Sequence, residues 1–403
     1  MIDFFLPIVL AYRTTFTNPI MLLFTVLSAV QLYRGIQRIN LLRSSGKPFA
    51  AEPFNRWRRQ LGDDISFYVA VPIGVLIHEL GHAIVVWVLG GRVLEFGFFF
   101  FWGYVLPDRS WGPIAEWVLS SAGTWGNVLL ALAVWLTWRN SPIRAVRYAM
   151  LRTVRFQIYF AFLYYPLFTL FLQFGDWRTI YDFGATPMLA GGMAIVHAAI
   201  LGAYWWLERQ GAFEMAAFDT VQQQAAFDQL ADVQTSEAQL KRLRMLQQGG
   251  LPTQAERLAK RLVVDYPDSA EIHLEAAFTG FKSMEDVTQF AATHARTALE
   301  LGLNNPLQRT NAHFVLGGYH LRRNETAQAI TQYNEALMQP GAAMHANGHR
   351  IYHGRSMAYR RANQSDSALK DLQQAWQLAQ QHGHLDVAKQ YEIELQALRG
   401  ERR

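Results

Sequence analysis

The sequence predicts an all-α protein in two parts, a multi-pass transmembrane helical bundle followed by a soluble α-solenoid, and three observations carry that prediction. Residues 1–207 are dominated by Phe, Trp, Leu, Val and Ala, whereas 208–403 are rich in Gln, Ala, Leu, Glu, Arg and Lys. The first part holds apolar runs near the length that crosses a bilayer core, which takes about 20 residues of helix. The second part repeats small residues at intervals of 36 to 39. The expected divisions are an N-terminal transmembrane helix and basic loop over 1–65, an intramembrane core over 66–207, a helical linker over 208–235 and helical repeats over 236–403.

Five runs form the membrane part: 15–33, 66–90, 114–138, 156–174 and 186–207. Lipid offers the backbone no hydrogen-bond partner, so runs of this length are satisfied as helices. Trp205 and Trp206 end the fifth as interfacial anchors would. A net charge of +5 and a pI near 9.3 would admit a nucleic-acid partner. The arginines, however, cluster in short segments between apolar runs, which is the pattern of membrane topology signals, so the expected partner is the lipid bilayer and not nucleic acid. Residues 34–60 carry Arg34, Arg38, Arg43, Lys47, Arg56, Arg58 and Arg59, and 139–155 carry Arg139, Arg144, Arg147, Arg152 and Arg155. The positive-inside rule places both loops, and the repeat domain, on the cytoplasmic side of an integral membrane protein. The N-terminus MIDFFLPIVLAYR lacks the basic leading region and cleavage site of a removable secretory signal.

The repeats align on Ala255, Ala291, Ala329 and Ala368, with a second set at Leu262, Ala298, Ala336 and Ala375. The first unit adds Gly250 and Pro267. The third unit, HFVLGGYHLRRNETAQAITQYNEALMQP, resembles a tetratricopeptide repeat at Leu316, Gly317, Ala329, Tyr333, Ala336 and Leu337. The resemblance implies helix pairs that bury their apolar faces only by stacking, with a concave surface for a peptide or protein partner.

The chemistry sits in the second run, at His78-Glu79-Leu80-Gly81-His82. Residues four apart share a helix face, so both imidazoles reach one metal while Glu79 lies beside a bound water. The chain has no cysteine, so any metal ligands must be His, Asp or Glu. Zinc on three protein ligands keeps a fourth position for water, and Glu79 is placed to take that water's proton. Ionisable groups inside an apolar span are costly unless paired or metal-bound, which makes them functional candidates. The expected site is therefore Zn2+ on His78, His82 and a third protein ligand, with Glu79 catalytic.

HELGHAIVVWVLGGRV resembles the first core helix of the site-2 protease family of intramembrane zinc metallopeptidases, and the resemblance covers residues 66–207. It implies hydrolysis of peptide bonds in a membrane-protein substrate. It also implies a membrane-dipping strand pair at GRVLEFGFFFFWGYVLP, residues 91–107. Gly123 and Asn127 match the family's Gly-x-x-x-Asn element, which implies contact near the metal or substrate; helix packing is the open alternative. The family's third ligand follows an Asn-x-x-Pro stretch and stands in Asp-Gly. This chain departs from that pattern, with Pro166 lacking the asparagine and Asp176 ten residues on. It is closer to a variant with Tyr-Pro, a longer gap and Gly-Asp, so Asp176 is the expected ligand, with Asp182 as the alternative. His197 is a further intramembrane candidate, as a ligand, a proton relay or a packing residue. The resemblance runs the metal helix inward across the membrane, whereas loop charge runs it outward. The function expected is a zinc metalloendopeptidase; the alternative is a membrane-anchored tetratricopeptide scaffold with a structural or inactive metal site. A transporter would show paired internal repeats with broken helices, and residues 1–207 show none.

Overall fold

The computed structural model describes residues 19–172 and 175–400. It is mostly helical and divides into two compact units, Met1–Ala225 and Ala226–Arg403. The division falls within the stretch read as a linker.

The first unit begins with α1 (Pro19–Ser44), then α2 (Arg56–Tyr68) and α3 (Ala70–Val88), which join into one long helix over Arg56–Val88. Asn55 caps α2, its side chain accepting from the Arg58 backbone amide at 3.0 Å. The chain leaves α3 through Gly90, whose φ of +74° suits glycine alone without strain. Two antiparallel strands follow, β1 (Val93–Phe98) and β2 (Gly103–Pro107), paired from Val93 opposite Pro107 to Phe98 opposite Gly103. This is the hairpin expected over 91–107, and its turn is closed by Phe99 stacked on Trp102 with ring centres 4.6 Å apart. Then come α4 (Pro113–Trp138) and α5 (Arg144–Tyr159). A π-helical turn over Phe160–Tyr164 leads into α6 (Tyr165–Leu172), and α7 (Asp176–Ile180) and α8 (Pro187–Arg209) complete the unit. Pro113 and Pro187 each open their helices at positions where a missing amide hydrogen has no consequence.

Three helices among the described residues are long and apolar enough to cross a membrane: Arg56–Val88, Pro113–Trp138 and Pro187–Arg209. They coincide with the second, third and fifth predicted runs. The first run lies partly on α1 and partly, at 15–18, outside the described residues. The fourth spans the π turn, so neither of its α-helical pieces, 16 and 8 residues long, reaches that length alone.

The three helices expose large apolar side chains and bury polar ones among apolar neighbours. α3 buries His78, Glu79 and His82 while exposing Ile84, Trp87 and Val88; α4 buries Ser121, Thr124 and Asn127 while exposing Ile114 and Leu129. α8 buries His197 and exposes Met188 (90%) and Ile195 (74%), the reverse of what water demands of a surface helix. Glycines bring α3 and α4 together. A Cβ on Gly81 would stand 2.6 Å from the Ala122 carbonyl oxygen, and one on Gly126 would stand 3.0 Å from that of Ile77. Glycine at these positions is what lets the two backbones approach so closely.

The second unit is a run of helices, α9 (Ser236–Gln248), α10 (Pro252–Asp265), α11 (Ala270–Thr279), α12 (Gln289–Leu301), α13 (Pro306–Arg322), α14 (Thr326–Met338), α15 (Gly348–Arg361), α16 (Ser365–Gln381) and α17 (Leu385–Gly400), each packed on the next. The repeating positions sit on every second helix. Ala255 and Leu262 on α10, Ala291 and Ala298 on α12, Ala329 and Ala336 on α14, and Ala368 and Ala375 on α16 are all buried. Alanine recurs because a larger side chain there would hold neighbouring helices apart. Between α11 and α12 the chain makes a hairpin that the sequence reading did not anticipate, β3 (Phe281–Ser283) against β4 (Asp286–Val287).

Candidate metal centre

His78 and His82, one turn apart on α3, meet Asp176 at the start of α7. Their Nε2 atoms lie 3.0 and 3.2 Å from the same carboxylate oxygen, Asp176 Oδ2. Among the described residues, one candidate ligand atom from each of the three falls within 4.8 Å of the other two. The expected Asp176 is therefore beside the imidazole pair. Asp182 is not: its Oδ1 accepts from the backbone amides of Gly184 and Ala185 at 3.0 and 2.9 Å, which closes an exposed turn.

The surroundings fit a divalent cation. His82 Nδ1 faces the Leu119 carbonyl oxygen at 2.7 Å while Nε2 faces Asp176, so both ring nitrogens point at oxygen acceptors. With Nδ1–H donating to its carbonyl, Nε2 is left with a lone pair to give to an ion. Asn127 does the same work for His78. Its side-chain amide lies 3.4 Å from His78 Nδ1, and its Oδ1 is buried with no partner. Oxygen and nitrogen of an amide are exchanged by a flip. In the flipped orientation Oδ1 accepts from His78 Nδ1–H, which satisfies the orphaned atom and frees Nε2 for the ion. Gly123 clears the space in front: a Cβ there would stand 2.5 Å from Nε2 of both His78 and His82. Both residues of the Gly-x-x-x-Asn element thus lie against the histidines. Two imidazoles and a carboxylate form a donor set suited to zinc.

Glu79 lies between the ligands in sequence and is buried on the same helix. Gly103, the first residue of β2, sits over it: a Cβ there would come within 2.5 Å of Glu79 Cγ and 2.9 Å of Oε1. The hairpin therefore packs directly on the candidate catalytic carboxylate.

Two features of the site escaped sequence reasoning. Tyr165 holds Asp176 at two points, its hydroxyl donating to Oδ2 at 3.0 Å and accepting from the Asp176 amide at 3.2 Å. Gly175, at φ +107°, makes this approach possible, since a Cβ there would lie 3.0 Å from the Tyr165 hydroxyl. The second feature is the π turn immediately before Tyr165. Pro166 has no amide hydrogen, so the helical bond it would give to the Phe162 carbonyl, four residues back, cannot form. His197 Nε2–H donates to that carbonyl instead, and Tyr181 hydroxyl donates to His197 Nδ1. His197 is thus a satisfied histidine that ties α8 to the π turn and packs on Trp177 at 4.6 Å between ring centres. The Tyr165–Pro166 pair quoted from the sequence was the signal for both features.

Replacing Tyr165 by Phe keeps the ring and removes the hydroxyl. Loss of an outer-shell partner of this kind lowers metal affinity by about 10- to 100-fold. Chelator competition with zinc measures it; an affinity equal to that of the unaltered chain would show that Tyr165 does not position the carboxylate.

No family model matches the chain, and no curated protein matches it. Among solved structures, the crystal structure of MamA protein is similar over 39% of this chain and 78% of that one, with 24% identity and a TM-score of 0.30. A likeness that loose has no bearing on fold or activity.

Proposed function

We propose that the chain is an intramembrane zinc metallopeptidase, of the site-2 protease type, that hydrolyses peptide bonds in or near the membrane. The observation that carries the reading is the convergence of His78, His82 and Asp176, with Glu79 alongside, on the buried side of helices whose outer faces are apolar. Exposed Ile84, Val88, Ile195 and Met188 around a buried pair of histidines and a glutamate support helices that face lipid. Arg139 stacked over Trp135 and Arg209 over Trp205, at 4.4 and 3.9 Å, suit the ends of spanning helices, where aromatic and basic side chains meet headgroups.

His78, His82 and Asp176 are the residues that would hold the metal. Bound zinc lowers the pKa of a coordinated water to about 7 and polarises a scissile carbonyl. Glu79 accepts a proton from the attacking water and returns it to the departing amine nitrogen, so one carboxylate serves both halves of the hydrolysis. Leu119 carbonyl and Asn127 hold the two rings in orientation through their Nδ1 atoms. The β1–β2 hairpin over Glu79 limits water and borders the space where a substrate segment would lie. The second unit, read as tetratricopeptide-like repeats on the cytoplasmic side, would engage a substrate or partner protein.

The test is zinc per chain, by elemental analysis of purified protein, together with cleavage of a model transmembrane substrate, for the unaltered chain and for Asp176→Ala. One zinc and cleavage are expected in the first, neither in the second. Cleavage by a variant that holds no zinc would sink the proposal.

A further inference from the structure

Of the three candidate ligands, Asp176 is the one that α3 does not carry. It opens α7, a helix of five residues, too short to hold its own direction without support from its neighbours. Two supports reach it. Tyr165 holds Asp176 through its hydroxyl from just beyond the π turn, and Trp177, the next residue of α7, is buried. The far end of α7 is fastened by α4, where Trp117 Nε1 donates to the Ile180 carbonyl at 3.1 Å.

Both supports of Asp176 meet one side chain of α8. His197 Nε2–H donates to the Phe162 carbonyl inside the π turn, three residues before Tyr165. The same ring packs on Trp177 at 4.6 Å and on Phe162 at 5.6 Å between centres, and Phe162 and Trp177 lie 6.0 Å from each other. Tyr181, which follows α7, stacks within 13° of the imidazole plane and donates its hydroxyl to Nδ1. That pair of bonds fixes the ring as a neutral imidazole with its proton on Nε2.

The contacts separate this role from the others open to a buried histidine. Both ring nitrogens are engaged, and the group able to hold a metal among the described residues is His78, His82 and Asp176, without His197. As packing alone, a leucine would sit among Phe162, Trp177 and Met193 without the expense of a polar ring in a helix apolar enough to cross a membrane. What the imidazole adds is a donor for the Phe162 carbonyl, which the Pro166 ring nitrogen cannot supply.

We infer that His197 is a positioning residue for the metal centre: its bond to the Phe162 carbonyl holds the π turn in the arrangement that sets the Tyr165 hydroxyl on Asp176, and so holds the carboxylate beside His78 and His82. The inference rests on the metal reading of that site and not on peptide hydrolysis.

The experiment strips the full chain of metal in detergent and titrates it with Co2+, whose visible absorption reports the coordination around the ion, and then reads zinc affinity by displacement of the cobalt. His197→Leu is expected to change the cobalt spectrum and to weaken zinc binding about 10- to 100-fold, as loss of an outer-shell partner does. His197→Gln, whose amide keeps a donor near the place of Nε2, is expected to recover most of that loss. A His197→Leu variant with unaltered affinity and an identical spectrum overturns the inference and leaves the metal centre standing. So does a His197→Gln variant as weak as His197→Leu, because the hydrogen bond would then not be what matters. An unaltered chain that takes up neither metal is a separate failure, which removes the metal centre and the inference with it. Should His197→Leu fail to fold, Tyr181→Phe removes only the hydroxyl that orients the imidazole: weaker zinc binding supports the inference and unchanged binding overturns it.

Discussion

Glu79→Gln is expected to lower peptide hydrolysis by about 10²- to 10⁴-fold, the range that a positioned general acid–base supplies, while the protein keeps its zinc. Glutamine matches glutamate in shape, so the buried pocket under Gly103 and the packing of α3 are preserved. What is lost is the ability to accept and return a proton. His78, His82 and Asp176 are untouched, so metal content separates this variant from Asp176→Ala, in which a ligand is gone. The pair of measurements therefore distinguishes chemistry from metal binding. Undiminished cleavage by Glu79→Gln, at full zinc occupancy, would remove Glu79 from the mechanism.

The parts of the site that the sequence made legible are those set by short-range geometry. His78 and His82 share a face because of helical periodicity, and Glu79 follows from its place between them. Asp176 was reached through Gly175-Asp176, and the structure puts it against the imidazoles. Asp182 stood six residues further with a similar local context; only the fold reveals that its carboxylate caps a turn. The π turn was hidden for a related reason. Pro166 announces that one helical hydrogen bond is missing, but the group that replaces it, His197, comes from 31 residues further along the chain. Tyr165 is flagged in the sequence only as the neighbour of Pro166; its two bonds to Asp176 appear once the chain folds back.

Hydropathy gave a coarser result. It marked five runs, of which the second, third and fifth coincide with helices long and apolar enough to cross a membrane, and it could not register the π turn within the fourth. In the second unit the alanine spacing located α10, α12, α14 and α16 because tight helix contact admits only small residues there. The β3–β4 hairpin left no such trace. Phe281-Lys282-Ser283-Met284-Glu285-Asp286-Val287 has neither a glycine turn nor a clean alternation, and its partners on α13 and α15 supply much of its stability.

Gly123→Ala is expected to lower zinc affinity about 100-fold, at the upper end of what loss of support around a ligand set causes. The added methyl carbon would fall 2.5 Å from Nε2 of His78 and of His82, nearer than carbon approaches nitrogen without a bond. Something has to yield, and the choices are few. α4 cannot back away easily, because Gly81 and Gly126 hold it against α3 at backbone contact. The rings cannot turn freely either, since His82 Nδ1 is held by the Leu119 carbonyl and His78 Nδ1 lies beside Asn127. Movement of either helix or ring takes Nε2 away from Asp176 Oδ2, and the donor set no longer converges. Competition against a zinc chelator measures the loss, and retained helical circular dichroism shows that the fold survives. An alanine variant with unaltered affinity would mean that the ion does not sit where the two Nε2 atoms meet, and that Gly123 serves only to let α4 pack on α3.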